Sequence, residues 1–182
     1  ALESQAAAVT VAAFLSGVLC TSLVSRSVSS RIARLVKAME RAGAVRLNAR
    51  EVAELTRNAM VKVGDDNHDA PSKDFLGQDA AVLARGAGKS VPQNTELLFG
   101  ETDESNPFVP EEQMMPFVPF VRVKNVNQGI EMALKHEHGF RHTSLIHSHN
   151  VRNMTKMGRA MDTTLFVKNG PCMASLGLGG EG

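Results

Sequence analysis

Apolar and polar positions along the chain follow two rhythms, and the change between them divides the sequence. In SRIARLVKAMERAG, Ile32, Leu35, Val36 and Met39 recur at helical spacing, Ser27, Ser29 and Ser30 offer caps, and Gly43 supplies a stop. Asn48 opens a second helix with Glu51 three residues on as its capping partner. Val52, Leu55 and Ala59 share one face of it, and Gly64 lies past its end. Both helices are expected to pack on a sheet. Residues 65–74 (DDNHDAPSKD) read as a polar loop, and GQDAAVLARGAG as a short helix bounded by glycines. From Thr95 the period shortens. TELLF, PFVPFVRV (interrupted by Pro119), HTSLIHS and TTLFVK read as strands; the last three are separated by a helix from Asn125 through Ile130, Ala133 and Leu134 to Gly139, and by another over Asn150 to Met161. This β-α-β-α-β order predicts an α/β fold, a mostly parallel sheet covered by helices, with functional loops at the carboxyl ends of its strands.

Composition narrows the partners. A chain of 182 residues is long enough to bury a core without metal or disulfide support. Lys and Arg total 20 against 19 Asp and Glu, so no global charge draws the protein to nucleic acid or an acidic membrane. A small molecule or another protein is the expected partner. Cys20 and Cys172, far apart and in dissimilar contexts, fit a reducing compartment. The uncharged stretch from Gln5 to Ser25 is weakly apolar and rich in Ala, Ser and Thr, which favours a buried helix or strand pair over a membrane segment. Ala1 in place of an initiating Met and the glycine-rich GLGGEG tail read as the ends of a piece of a longer chain.

Five of the six histidines lie in HEHGFRHTSLIHSHN, which raises the question of a metal. On the layout above His136 and His138 fall in the last turn of a helix, where an imidazole complements the carbonyl end. His142 and His147 open and close a strand at an odd separation that sends them to opposite faces, and His149 has left it. No cysteine or helical HExxH spacing completes a tetrahedron, so no metal site is expected.

Taken as a whole, FVPEEQMMPFVPFVRVKNVNQGIEMALKHEHGFRHTSLIHSHN together with DTTLFVKNGPCMASLGLGGEG resembles the CoA-acylating aldehyde dehydrogenases of bacterial propanediol and ethanolamine utilisation. The likeness runs from about Leu35 to Gly182; the HT…IHS pattern falls on His142, Thr143, His147 and Ser148. It implies an aldehyde dehydrogenase-like catalytic lobe, NAD and coenzyme A as cofactor and acyl acceptor, a short aldehyde as substrate, and a homo-oligomer in the cytoplasm or a bacterial microcompartment. Enzymes of this superfamily also have an earlier Rossmann-type lobe and a last oligomerising segment, neither of which is expected within these residues. No G-x-G-x-x-G follows a strand here.

Such chemistry needs a thiolate, a hydride acceptor and a second thiol that carries the acyl group away. The resemblance places the nucleophile at Cys20, ahead of the RLVKAME helix. Ser16 and Gly17 stand there in place of the family's asparagines, and Ser22 and Leu23 in place of its Glu-Lys pair. Residues 1–30 therefore diverge from the pattern. Cys172, after Gly170 and Pro171 at a strand's carboxyl end, would line the site without attacking, with Asn169 and Lys168 near the substrate tunnel. Glu112 matches the superfamily glutamate that receives the nicotinamide ribose hydroxyls, a task suited to a carboxylate that accepts two hydrogens. Without the resemblance, Cys20 reads as a small buried hydrophobe, Glu112 as a solvated loop residue, and the nine methionines, Met114 and Met115 included, as core filler. Two functions compete on this footing: the catalytic lobe of such an enzyme, and a divergent relative that kept the fold and acts, if at all, through protein contacts.

Overall fold

The computed structural model describes residues 8–11, 21–25 and 29–172, with side chains from residue 33 onward. Strands β1 (Ala8–Val11) and β2 (Thr21–Ser25) precede helix α1 (Ser29–Arg41), β3 (Val45–Leu47) and α2 (Ala49–Ala59). A hairpin of β4 (Met60–Val63) and β5 (His68–Pro71) leads to α3 (Ala80–Gly86). Then come β6 (Leu98–Thr102), β7 (Phe117–Val123), α4 (Val126–His136), β8 (Thr143–Ile146), α5 (Val151–Met161) and β9 (Leu165–Lys168). The main sheet has the order β1-β2-β7-β6-β3, parallel except where β1 meets β2. β8 and β9 form a second parallel pair. The expected α/β class and parallel strands are present. Among the described residues no helix is long and apolar enough to cross a membrane.

α2 forms where its cap says it should. Asn48 Oδ1 accepts from the Glu51 amide at 3.0 Å, and the Glu51 carboxylate accepts from the Asn48 amide at 2.8 Å. Burial works to raise the Glu51 carboxyl, but the Asn48 amide and the Lys89 ammonium, 2.9 Å away, hold it below the usual range. Val52, Leu55 and Ala59 are buried as their spacing predicts. Gly100 lets this helix approach β6: a Cβ there would collide with Val52 Cγ2.

The sequence reading needs four corrections. α2 stops at Ala59 rather than near Gly64, because the alternating MVKV that follows forms β4 instead of another turn. Gly64 and Asn67, both left-handed, reverse the chain into β5, so half of the supposed polar loop is a hairpin. Pro119 does not break or edge its strand: it lies inside β7 opposite Gly100, and the ladder with β2 begins one residue later, at Phe120. Leu134, assigned to the apolar face of α4, is 40% exposed, since that helix buries Gly129, Ile130, Met132 and Ala133.

Two apolar clusters result. The first joins Leu47, Val52, Leu55, Leu83, Leu98, Phe108 and Phe117 under α2 and α3. The second joins Val109, Val121, Val123, Ile130, Ile146, Met157 and Met161 between α4, α5 and the strands. Phe108 and Val109 are successive residues, both fully buried, one in each cluster. The Phe108 ring lies 4.9 Å from that of Phe117.

Candidate functional site

Parallel strands put their loops at one end, and β8 and β9 deliver two short ones: residues 147–150 and 169–172. Asn169 adopts φ +54, a left-handed conformation that asparagine tolerates better than most side chains. Its amide donates to Ile146 O at 2.9 Å. Its carboxamide faces Ser148 twice, Oδ1 accepting from the Ser148 amide at 2.8 Å and Nδ2 donating to the Ser148 carbonyl at 2.9 Å. Ser148 Oγ accepts from the Asn150 amide at 3.0 Å, and Asn150 caps α5 through the amides of Arg152 and Asn153. Below this tie, Cys172 packs half-buried on Leu145 and Val167, and that burial pushes its thiol above the ordinary cysteine range. Such a thiol is protonated at neutral pH and is a poor nucleophile. Lys168 ends β9, exposed.

Glu112 stands on a different structure, the crossover from β6 to β7. That loop is anchored on both sides. Phe108 and Val109 are in the cores, Gln113 is buried with Nε2 donating to Phe108 O at 3.0 Å, and His138 Nε2 donates to Pro110 O at 2.9 Å. Gly77 N–H adds a bond to Met114 O at 3.1 Å. The anchors leave Glu112 exposed, its carboxylate presented to solvent. Gln113 Oε1 is the one buried side-chain acceptor without a partner among the described residues. Met114 is not core filler. With Gln113 drawn inward and Met114 itself at φ +42, its side chain is thrown out to 61% exposure, while Met115 packs on the first cluster. Among the described residues Glu112 shares no hydrogen bond with Asn169 or Cys172, and Cys20 lies outside the described residues.

The histidines divide as individuals. His136 ends α4 and donates to Glu104, 3.1 Å away; burial lowers its pKa more than that carboxylate raises it. His138 lies beyond the last turn where it was expected, because the chain has already turned left-handed at φ +57. His142 shares a 2.6 Å hydrogen bond with Thr143 Oγ1. His147 keeps an exposed edge, yet the protein around its ring costs the imidazolium hydration and pushes it below the ordinary range. Among the described residues no three His, Cys, Asp or Glu side chains gather in a way that could hold a metal ion.

Two polar residues here, Gln113 and Glu137, were not singled out from the sequence, and Ser148 was named only as part of a pattern. Ser148 and Gln113 are side chains spent on the chain's own loops, and Glu137 is buried with its carboxylate on the amides of Gly139 (3.0 Å) and Arg141. Only Asn169-Gly170 carried a signal, the turn dipeptide at the end of a strand.

No family model matches the chain. Curated relatives and solved structures do. It is 42% identical over 175 residues to the acetylating acetaldehyde dehydrogenase EutE of Escherichia coli K12, which covers 94% of this chain and 37% of that protein. It is 39% identical over 150 residues to the CoA-propanoylating propanal dehydrogenase of Citrobacter freundii, covering 82% and 31%. By descent this chain belongs with the CoA-acylating aldehyde dehydrogenases. It spans about a third of the length of these relatives. Among solved structures of the family, Rhodopseudomonas palustris propionaldehyde dehydrogenase with bound CoA and an acylated cysteine superposes with TM-score 0.73 at 34% identity over 88% of this chain and 35% of that one. An engineered glycolyl-CoA reductase with bound NADP+ gives the same TM-score and coverage at 33% identity. A propionaldehyde dehydrogenase of the Clostridium phytofermentans fucose utilisation bacterial microcompartment gives 0.72 at 29%, again over 88% and 35%.

Proposed function

We propose that this chain is the catalytic lobe of an NAD-dependent aldehyde dehydrogenase that converts a short aldehyde, such as acetaldehyde or propionaldehyde, to its acyl-CoA through a cysteine thioester. The observation that carries the reading is the likeness, in sequence and in fold, to an enzyme whose structure has bound CoA and an acylated cysteine. Within this chain the two thiols then divide the work. Cys172, protonated and packed on Leu145 and Val167, lines the pocket, and Cys20 attacks the carbonyl carbon. Asn169 and Lys168 stand at the same strand end as Cys172.

The nicotinamide cofactor, when bound, accepts the hydride that leaves the aldehyde carbon. Glu112 fits its ribose, since the carboxylate is exposed on an anchored loop and accepts two hydroxyl hydrogens. The pyrophosphate falls to a Rossmann lobe on the rest of the polypeptide. Homo-oligomerisation and residence in a bacterial microcompartment complete the proposal; the Clostridium phytofermentans neighbour, a microcompartment enzyme, supports the second.

A second reading is a divergent relative without activity, favoured by Ser16, Gly17, Ser22 and Leu23 around Cys20. One experiment separates the two. The enzyme containing this lobe is treated with aldehyde and NAD+ in the absence of CoA, and the acyl adduct is mapped by mass spectrometry. An adduct on Cys20, lost in Cys20→Ser, is expected; an adduct on Cys172 overturns the thiol assignment, and no adduct supports the inactive relative. The isolated chain is expected to bind NAD+ with no measurable heat in calorimetry, because only the ribose contact is present.

A further inference from the structure

The tie between the carboxyl ends of β8 and β9 does something that secondary structure alone does not. The ladder runs in register from Thr143 opposite Leu165 to Ile146 opposite Lys168. At Asn169 the main chain turns away, and a ladder would end there. The Asn169 side chain continues it. A carboxamide is planar and carries one acceptor and donors, as a peptide does, and here it meets the amide and the carbonyl of Ser148 at 2.8 and 2.9 Å. The main chain is released to make the Gly170-Pro171-Cys172 turn while the strand ends stay joined. From Ser148 the connection passes through Asn150 to the first turn of α5.

We propose that Asn169 is a positioning residue: its carboxamide fixes the loop that carries Cys172 against the β8–α5 turn of His147 to Asn150, and so sets where Cys172 stands. The catalytic consequence rests on the function proposed above; the placement itself does not. The residue type is closely constrained. Aspartate keeps the size but turns an acceptor toward the Ser148 carbonyl, glycine keeps the left-handed backbone but has no amide, and glutamine is longer by a methylene.

The test uses this chain with Cys20→Ser, which leaves Cys172 as the only thiol among its 182 residues. Alkylation of Cys172 by iodoacetamide is followed across pH in that background, alone and with Asn169→Asp or Asn169→Gly. Asn169→Gly loses both hydrogen bonds and Asn169→Asp loses the one to the Ser148 carbonyl, so each is expected to speed modification at neutral pH by about tenfold or more through a local opening. The midpoint of the pH profile should move down toward that of a solvated thiol, about 8.5. Leu55→Ala, which weakens the distant first cluster, is expected to lower the melting temperature without changing either readout. Unchanged rate and midpoint in Asn169→Gly overturn the proposal, as does an equal acceleration in Leu55→Ala. If Asn169→Asp fails to fold, the glycine variant carries the test, because it adopts the same backbone without strain. Neither aldehyde nor CoA enters the assay, so its failure is distinct from failure of the acyl-mapping experiment.

Discussion

The two apolar clusters are of similar size but are put to different uses. The first is Leu, Ala and Phe under α2 and α3, and the buried polar groups beside it are few and scattered: Ser72, Thr95 and Gln113. The second is Met, Val and Ile, and beside it Glu137, Thr143, Ser144 and Ser148 are buried within twelve residues of chain. Burying a polar group is costly unless it is hydrogen-bonded, so such a concentration persists only where each group has a partner. Here the partners are loop amides, a neighbouring hydroxyl and the end of β9. One half of the molecule is mostly apolar packing, with Gln113 as its buried loop anchor; the other concentrates its buried polar side chains on holding loops in place.

The largest expected effect falls where the halves meet. Phe108→Ala should cost about 3–5 kcal/mol, and a double variant with Val109→Ala should depart from additivity, because the two neighbours anchor one loop in both clusters. Denaturant melts of the two single variants and the double measure this, and strict additivity would mean the halves are independent. Next, Leu55→Ala and Met157→Ala should each cost about 2–5 kcal/mol by the same assay. Only the second is expected also to alter Cys172 alkylation, since only that residue belongs to the half that carries the loops. Asn48→Ala should cost about 1 kcal/mol through loss of the capping box, and leave that chemistry untouched.

The smallest effect is one of pH. His136 has a folded pKa below its unfolded value of 6.5, so the folded state binds fewer protons than the unfolded chain between those values. The stability this contributes is complete above pH 6.5 and is lost as pH falls through the folded value. Glu104 does not offset the loss in that window: its own pKa is lowered, chiefly by Lys135, and it stays ionised. Replacing His136 by Gln should flatten stability against pH in this range, measured by melts from neutral to mildly acid buffer.

The same contrast explains what could be read from the sequence. Amphipathic spacing located α2 to the residue on its buried face, because Val52, Leu55 and Ala59 are governed by one local period. β6 to β9 and α5 were legible from their short apolar runs and caps, but β3 was not, and the expected single β-α-β-α-β sheet is divided, with β7 in the main sheet and β8–β9 a separate pair. The β4–β5 hairpin was not legible either, since β4 is mostly exposed and β5 is only half-buried and largely polar, so neither offers much apolar signal. In the site, Glu112 and Asn169 could be singled out as residues, but their settings could not. That Gln113 is drawn inward, that Met114 turns out, and that the Asn169 carboxamide is engaged with Ser148 all depend on contacts between distant or turning segments, which no local period encodes.

Asn169 is followed by Gly170, and in such a pair the next backbone nitrogen attacks the side-chain carboxamide with little hindrance. Ammonia leaves, a cyclic imide forms, and water opens it to aspartate or isoaspartate. While both hydrogen bonds to Ser148 hold, the carboxamide cannot swing onto that nitrogen. Each time the strand ends part, it can, and the resulting acid no longer offers the donor that Ser148 requires. Deamidation at Asn169 is therefore expected to keep time with the parting of β8 and β9, and the mass gained by aged protein would record it.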